Sequence, residues 1–385
     1  MYFIGVEMKI VTGVIVGFVV LVAIMWLTKT WSAANKSKPF MNSEKTYHAG
    51  LSSLWPIAKA YWNTQRKAPA PKNAVPLETL TQTLLAQSTE DAVYRLGHST
   101  LLMRIDGEYV LIDPVFSERA SPVQWAGPKR FHQSPISIAD LPSIKAVIIS
   151  HDHYDHLDKA AIEQLAAKVE HFITPLKVGD YLTDWGVDPI QVTEFEWWQS
   201  VELNGLHITA TPAQHFSGRG LLDRDQTLWA SWVIQGLHHK VFYSGDSGYF
   251  NGFKQIGELY GPFDLSMIET GAYNELWSDI HMLPEQSLQA HIDVNAKAMM
   301  PVHNGTFDLA LHDWFEPFER ITLLAQQHNV TLLTPKFGQA VLLENPQANE
   351  LWWRDIMIDP ETDKAEQRVN SNNMDELNEV VTDQN

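Results

Sequence analysis

A motif that can bind metal occupies residues 151–156, His-Asp-His-Tyr-Asp-His, directly after the apolar run Ala146–Ser150. Imidazole nitrogens and carboxylate oxygens at this density are ligands that suit a borderline metal such as zinc. Because residues i and i+2 of an extended segment point to the same side, His151 and His153 can bind one ion. The second half of the motif, from Asp155 onwards, lies past the turn and can face a second ion. The spacing therefore predicts a metal site at the end of a buried strand.

Three further candidate ligands stand at the ends of predicted strands elsewhere in the chain, namely His215, Asp246 and His303. Asp246 is the carboxylate among them, and the two oxygens of a carboxylate can each bind a different ion. We therefore expect Asp246 to bridge two ions. Two carboxylates and a hydroxide would leave two divalent cations with little net charge.

The elements that position these residues can be predicted from the hydrophobic pattern. Strand-like runs recur from Ala92 onwards, and Asp106-Gly107 between two of them is a strong hairpin signal. A helix is predicted at Lys159–Val169, after the motif. Strands, a helix and further strands predict an α/β fold of two sheets with helices outside. The expected regions are an anchor or signal segment at 1–30, a tether and helical extension at 31–90, a main domain at 91–345 and an acidic, partly disordered tail at 346–385.

The composition excludes several classes of protein. The net charge of −18 and the lack of any Lys/Arg run argue against a nucleic-acid partner. The chain has no cysteine, so that disulfides and thiolate metal sites are excluded and any metal must use His, Asp or Glu. Hydrophobic residues make up 45% of the 385 residues, which is enough for a large core.

The N-terminal segment Ile10–Leu27 carries no charge and is bracketed by Lys9 and Lys29. Eighteen apolar residues are long enough to span a bilayer, so we expect a single-pass, membrane-anchored protein. Two alternatives stay open: a secretory signal cleaved at Ser32–Ala34, and a helix buried in a soluble protein. More lysines follow the segment than precede it, which favours a cytoplasmic main domain.

The order of these ligands resembles that of the metallo-β-lactamase superfamily: H-x-H-x-D-H, then a lone His, a Gly-Asp and a late His. The resemblance implies an αβ/βα sandwich, with two mixed β-sheets flanked by helices and metals at the strand ends. More closely, the chain resembles the N-acyl-phosphatidylethanolamine-hydrolysing phospholipase D branch. The segments that carry this closer resemblance are Leu96–Thr100, Asp113–Ser117, Arg119–Pro122, Gly127–Phe131, Tyr154–Asp158, Gly261–Leu265, Gly271–Tyr273 and Gly305–Phe307.

The resemblance also implies the ligand set of two zinc ions, although a His/Asp site accepts iron or manganese as well. The implied first set is His151, His153 and His215; the second is Asp155, His156 and His303, with Asp246 between the ions. It places His281 over the metals near the substrate, against the plainer interpretation of a surface histidine. The residues expected to be catalytic are therefore Asp155, Asp246 and His281.

Other residues have weaker assignments. His98 and Asp113 are expected to hold a ligand imidazole or a loop by hydrogen bonds, or else to be satisfied polar groups of the core. The candidate substrate contacts are Lys129, Arg130, Arg219 and Tyr273, although the cationic ones can equally be solvated. Two positions depart from the branch: Ile280 stands where the mammalian enzyme has Gln, and Asn304 replaces an aromatic residue. Both are expected near the substrate pocket.

The function that the resemblance implies is hydrolysis of N-acyl-phosphatidylethanolamine to phosphatidic acid and an N-acylethanolamine, by a hydroxide that bridges two metals. The expected partners are a phospholipid or another ester or phosphodiester, and a membrane through the N-terminal segment; a homodimer is left open. A lactonase or phosphodiesterase with a soluble substrate is the main alternative, because a fold does not determine a substrate. A non-enzymatic scaffold with a structural metal is disfavoured by the complete ligand set.

Overall fold

The computed structural model describes residues 38–45, 51–220 and 222–357. Within these residues, two seven-stranded mixed sheets pack face to face, and helices cover their outer faces. This is the αβ/βα sandwich that the sequence predicted. The strands are β1 Ala92–Arg95, β2 Leu101–Ile105, β3 Glu108–Ile112, β4 Ile144–Ile148, β5 Val169–Pro175, β6 Val192–Phe195, β7 Ser200–Leu203, β8 Leu206–Thr211, β9 Ser231–Gln235, β10 Lys240–Tyr243, β11 Phe263–Glu269, β12 Ala296–Val302, β13 Thr331–Leu332 and β14 Ala340–Leu342.

The two sheets have matching topologies. The first has the order β14-β1-β2-β3-β4-β5-β6, and the second has the order β13-β12-β11-β10-β9-β8-β7. In each sheet one half is antiparallel and the other half is parallel, with the change at β3 and at β10. The predicted turn Asp106-Gly107 joins β2 to β3, and both residues have positive φ as a tight hairpin requires.

Helices connect and cover the strands. They are α1 Leu51–Asn63, α2 Gln82–Gln87, α3 Lys159–Leu165, α4 Val178–Asp184, α5 Gly252–Tyr260, α6 Pro284–Asp293, α7 Glu316–Gln327 and α8 Arg354–Met357. Helix α3 begins where the Asp158 carboxylate accepts the Ala160 N–H, which caps an otherwise unpaired donor. It ends at Leu165, short of the predicted Val169, because Val169 opens strand β5.

Three apolar layers hold the sandwich together. Between the sheets, alternate side chains of both inner faces form one core, which includes the large ring of Trp232. Outside the first sheet, Ile162 of α3 and Leu182 of α4 pack against strand residues such as Val147. Outside the second sheet, α5, α6 and α7 pack in the same way. Burial of each large apolar side chain stabilises the folded state by roughly 1.5–3 kcal/mol. The packed layers therefore hold the strands, and the loops at their ends, in fixed positions.

The chain stays packed beyond residue 346, where the acidic tail was expected to begin. Trp352 and Trp353 are buried against Phe318 of α7 and against Phe337. The Trp353 ring stacks on Phe318 at 4.9 Å, and its indole N–H donates to Glu319. The rest of the predicted tail, 358–385, lies outside the described residues.

The prediction of a single-pass membrane anchor is wrong on this structure. The part of the chain that is described contains no helix long and apolar enough to cross a membrane. Its longest helix, α1, has 13 residues, whereas a span needs about 20. The segment Ile10–Leu27, on which the prediction rested, lies outside the described residues.

Replacement of Trp353 by Ala tests whether residues 346–357 belong to the folded domain. We expect Trp353→Ala to lower the free energy of unfolding by about 3–5 kcal/mol, because it empties a packed aromatic cluster. Trp125, which is 83% exposed, provides the matched control, and Trp125→Ala should change it by less than about 0.5 kcal/mol. Urea denaturation followed by circular dichroism measures both; equal effects of the two substitutions would contradict this packing.

Candidate metal centre

Loops at one rim of the sandwich bring the seven predicted ligands together. These loops follow β4, β8, β10 and β12, whose carboxyl ends all lie at this rim. Two clusters result, in each of which the potential ligand atoms lie within 4.8 Å of one another. The first comprises His151, His153, His215 and Asp246; the second comprises Asp155, His156, Asp246 and His303. Asp246 is therefore common to both clusters.

The two oxygens of Asp246 face different histidines. Oδ1 lies 3.1 Å from His156 Nε2, whereas Oδ2 lies 3.0 Å from His303 Nε2. Oδ2 also lies 3.7 Å from His151 Nε2 and 3.8 Å from His215 Nε2. A carboxylate in this position can contribute an oxygen to each of two cations.

The ring nitrogens of the first cluster point at one another. His153 Nδ1 lies 2.9 Å from His151 Nε2 and 3.3 Å from His215 Nε2. At most one hydrogen can lie between two such nitrogens, so lone pairs converge on a common point. In the second cluster, His156 Nε2 and Asp246 Oδ1 are buried and make no hydrogen bond within the described part of the chain. These donors fit a metal ion better than they fit one another.

The charges in the cluster favour a cation. Burial alone would raise the pKa of Asp246, but His156 and His303 hold that pKa well below its ordinary value. Burial alone would lower the pKa of His303, but the nearby carboxylates, Asp246 first among them, raise it to about 10. Burial lowers the pKa of His151 and of His215 well below the ordinary value, which keeps these rings in the neutral form that binds metal.

Asp113 orients His156 from behind. Its Oδ2 lies 2.7 Å from His156 Nδ1 and accepts hydrogen bonds from the hydroxyls of Tyr243 and Ser150. Its Oδ1 accepts the Ser150 backbone N–H at 2.7 Å. Because Nδ1 is engaged with Asp113, the other ring nitrogen of His156 faces Asp246. Asp113 is thus placed where it can hold a candidate ligand imidazole by a hydrogen bond.

His98 packs inside the second cluster. Its ring lies 4.0 Å from the His303 ring, and its Nε2 lies 3.5 Å from Asp155 Oδ2. Neither ring nitrogen makes a hydrogen bond to another described residue. Burial, followed by the charge of His303, lowers the pKa of His98 to about 3, so the ring is neutral.

His215 is held by a residue that the sequence did not single out. The side-chain N–H of Asn42 donates to the His215 carbonyl. The Asn42 Oδ1 accepts the His215 backbone N–H at 3.0 Å and the Trp229 indole N–H at 2.9 Å. Nδ1 of His215 lies 3.0 Å from the Ile280 carbonyl oxygen, which leaves Nε2 for the cluster. Asn42 was predicted to lie in the tether, where a single polar residue gives no sequence signal.

Asn304, next to the predicted ligand His303, is not among the residues that line the pocket at the cluster. It is buried, and its Oδ1 accepts a hydrogen bond from Arg95 Nη2 at 2.6 Å. Its amide donates to the carbonyls of Thr270 and Val302. The preceding ligand, His303, has a φ of +62°, a strained conformation that these contacts hold in place. The Arg95 guanidinium also rests on the Phe337 ring.

The four predicted substrate contacts are engaged with other groups of the protein. Lys129 pairs with Glu118 at the surface, whereas Arg130 donates to the Phe116 carbonyl. Arg219 donates to the Leu157 carbonyl and covers the Tyr154 ring, and Tyr273 donates to Glu316. None of the four lines the pocket described next. Each of these side chains has a structural partner, which sequence spacing alone could not reveal.

A pocket of about 300 Å³ opens directly onto the cluster. His153, Asp155, Asp246 and His303 form its floor, and His281 lies at its side. The walls are apolar, and they comprise Ile57 of α1, Phe216, Ala272, Trp277, Ile280 and Leu309. Ile280 thus lies at the pocket, as its departure from the phospholipase branch suggested. A buried carboxylate that the sequence analysis missed, Glu269, lies 2.8 Å from His281 Nδ1.

Comparison with known proteins identifies the family. The family described as beta-lactamase superfamily domain matches residues 108–304, which is more than half of the chain and contains all seven predicted ligands. The chain belongs to this superfamily. Together with the His/Asp clusters, membership makes it a metal-dependent hydrolase of the metallo-β-lactamase fold.

Two relatives are similar to this chain over more than half of its length. An uncharacterised protein of Mycobacterium tuberculosis is 43% identical over 298 residues, which cover 76% of this chain and 80% of the relative. The N-acyl-phosphatidylethanolamine-hydrolysing phospholipase D 1 of Caenorhabditis elegans is 35% identical over 240 residues, which cover 59% of this chain and 67% of the relative. Among solved structures, the metallo-hydrolase Igni18 of Ignicoccus hospitalis has a TM-score of 0.51 at 23% identity, over 66% of this chain and 98% of that one. This last similarity shows the fold alone.

Loss of the shared carboxylate should abolish stabilisation by metal. Zinc that binds only the folded protein raises its stability, by about 2.7 kcal/mol at a concentration 100 times the Kd. We expect added Zn²⁺ to raise the Tm of the chelator-treated protein but not of Asp246→Asn. Differential scanning calorimetry measures the shift, and Asp264→Asn, at the far end of β11, serves as the control. An equal shift in both variants would contradict the role of Asp246.

Loss of Asp113 should weaken metal binding without removing a ligand. Asp113→Asn retains the size of the side chain but replaces an oxygen acceptor that faces His156 Nδ1. We expect the zinc affinity to fall roughly 10–100-fold, the range for residues that orient a ligand. Competition with a chromogenic chelator measures this, and Tyr243→Phe, which removes one hydrogen bond to Asp113, should cost less. An unchanged affinity in Asp113→Asn would refute the orienting role.

Proposed function

We propose that the chain is a phosphodiesterase of the phospholipase D type that hydrolyses N-acyl-phosphatidylethanolamine to phosphatidic acid and an N-acylethanolamine. The observation that carries this proposal is the pocket, because its apolar walls stand directly over a floor of carboxylates and imidazoles. An apolar pocket with a few convergent polar groups is the usual form of a small-molecule site. A substrate with a hydrolysable ester and an apolar body fits a pocket that has a polar floor and apolar walls.

Two zinc ions are the cofactor that we propose, held as the family resemblance implies. His151, His153 and His215 would hold one ion, Asp155, His156 and His303 would hold the other, and Asp246 would serve both. When bound, such ions polarise a phosphoryl oxygen and lower the pKa of a water molecule. The neutral rings of His151 and His215 and the ionised Asp246 are in the protonation states that this binding needs.

The chain's own residues then position the reaction. Asp155 lines the pocket and is partly buried, with Oδ2 3.2 Å from His303 Nε2, so that it can orient an attacking water by a hydrogen bond. His281 lies at the side of the pocket, where it can meet the leaving oxygen. Trp277 and Ile280 line the same space with apolar side chains, and apolar surroundings strengthen electrostatic interactions.

The size of the pocket limits how much of a lipid it can take. At about 300 Å³ it lies at the small end of ligand pockets. It has room for the scissile phosphodiester and the start of one chain, so the other acyl chains would extend through the mouth. Ile57 of α1 is one of the apolar residues that line the pocket. The similarity to a phospholipase from Caenorhabditis elegans supports the same substrate class.

A lactonase is the second candidate, and one feature of the pocket favours it. Of the described residues that line the pocket, none is Lys or Arg. A phosphodiester would therefore have its charge balanced by the metals alone, whereas a neutral lactone needs no such partner. The same oriented water can attack a lactone carbonyl.

The two candidates are separated by assaying the full chain, loaded with zinc, on both substrates. We expect N-acyl-phosphatidylethanolamine in detergent micelles to release N-acylethanolamine, detected by mass spectrometry. The chelator-treated protein and Asp246→Asn should lose at least about 99% of this activity, because removal of a catalytic group typically costs 10²-fold or more.

Release of N-acylethanolamine that persists in Asp246→Asn would contradict the assignment of the site. A zinc-loaded protein that opens medium-chain lactones but leaves the lipid intact would contradict the phospholipase proposal. Substitution of Lys129 by Ala is the control, since its side chain lies outside the pocket and should not affect either reaction.

A further inference from the structure

A buried carboxylate stands behind His281, and neither metal cluster nor the steps above give it a role. Glu269 is the last residue of β11, and its side chain is almost fully buried. Its Oε2 lies 2.8 Å from His281 Nδ1, and its Oε1 accepts the Met282 N–H at 2.7 Å. Both oxygens are therefore engaged on the side of the pocket where His281 lies.

We propose that Glu269 is a positioning residue that fixes the tautomer and the orientation of His281, so that His281 Nε2 gives a proton to the leaving oxygen. This inference rests on the proposed function, and it identifies Glu269 as the group that orients His281 for the donation of that proton. In this proposal the Glu269 carboxylate is the acceptor of the 2.8 Å hydrogen bond, so the hydrogen on His281 Nδ1 stays in place. Nε2 is then the nitrogen that exchanges a proton with the pocket.

The surroundings of His281 support this assignment. Its ring stacks on the His303 ring with centroids 5.3 Å apart and meets the His215 ring edge-on at 5.1 Å. The side chain is 14% exposed, and that exposure is to the pocket that His281 lines. The ring is thus held between two ligands and a carboxylate, which leaves little freedom for it to turn over.

The proposed step conserves atoms and charge. The oxygen of a water molecule forms a bond to phosphorus while the bond from phosphorus to the leaving oxygen breaks. The leaving oxygen takes the electron pair of that bond and the Nε2 proton of the doubly protonated His281 ring, and so departs as an alcohol, which leaves the ring neutral with its hydrogen on Nδ1. A proton that the attacking water has lost then restores the ring. The reaction consumes one water and needs no other reactant.

A different role for Glu269 is also testable. Glu269, His281, His303 and Asp246 together form a third group of potential metal ligands. If Glu269 were a ligand, its removal would lower the metal content. If it positions His281, the metal content stays the same and the effect depends on the leaving group, because a poor leaving group needs a proton and a good one does not.

The experiment compares Glu269→Gln with the wild type on two matched lipids. N-acyl-phosphatidylethanolamine has an alkoxide leaving group, whereas phosphatidyl-p-nitrophenol has a phenolate that departs without a proton. For Glu269→Gln we expect kcat to fall about 10²-fold or more on the first lipid with little change in KM, and to fall less than about threefold on the second. Glu285→Gln, on the exposed side of α6, is the control and should match the wild type.

Two further readouts isolate the action through His281. Nitrogen-15 NMR of histidine-labelled protein, with the His281 signals assigned from their loss in His281→Gln, should show hydrogen fixed on Nδ1 in the wild type but not in Glu269→Gln. The double variant should be no slower than His281→Gln, because the two residues act as one unit. The NMR test does not depend on turnover, so it still decides the role of Glu269 if neither lipid is a substrate.

Three results would overturn the proposal: an unchanged tautomer in Glu269→Gln, an equal loss of kcat on both lipids, or a loss of bound zinc measured by mass spectrometry. The last of these would make Glu269 a metal ligand instead.

Discussion

The burial of the Asp246 carboxylate among imidazole rings is the interaction on which the site depends. A charged carboxylate removed from water is costly unless it is paired, and the cost falls on the whole fold. Four histidine nitrogens within 3.8 Å of Asp246 offset that cost. The same arrangement gathers lone pairs and negative charge at one point, which is the requirement for holding divalent cations. Stability and metal binding therefore use the same contacts.

The sandwich supplies the positions, and hydrogen bonds behind the ligands supply the orientations. Each sheet ends its parallel half at the same rim, so that loops from both sheets meet there. Asp113 turns His156, Asn42 holds the backbone of His215, and Asn304 supports the strained backbone of His303. In the proposed reaction Glu269 does the same for His281. Each of these histidines is held in its orientation because its other ring nitrogen or its backbone is engaged elsewhere.

The sequence predicted the fold class, and the potential ligands that it singled out lie close together in the structure, because both depend on local signals. Alternation of apolar residues gives strands, and the spacing H-x-H-x-D-H gives one side of the site directly. Contacts over long sequence distances left no such signal. Asn42 lies 173 residues from His215, and Arg95 lies 209 residues from Asn304. Arg219 illustrates the reverse error: its charge suggested a phosphate contact, but its guanidinium is occupied by carbonyls of the loop that carries the motif.

Measurement of the metal content and position in the wild-type protein tests the central claim most directly. The account predicts two zinc ions per chain in protein equilibrated with zinc and then dialysed, with two anomalous-scattering peaks in its crystals. One peak should lie among His151, His153 and His215, the other among Asp155, His156 and His303, with Asp246 contacting both. A single ion, or ions at sites that do not involve Asp246, would contradict the account.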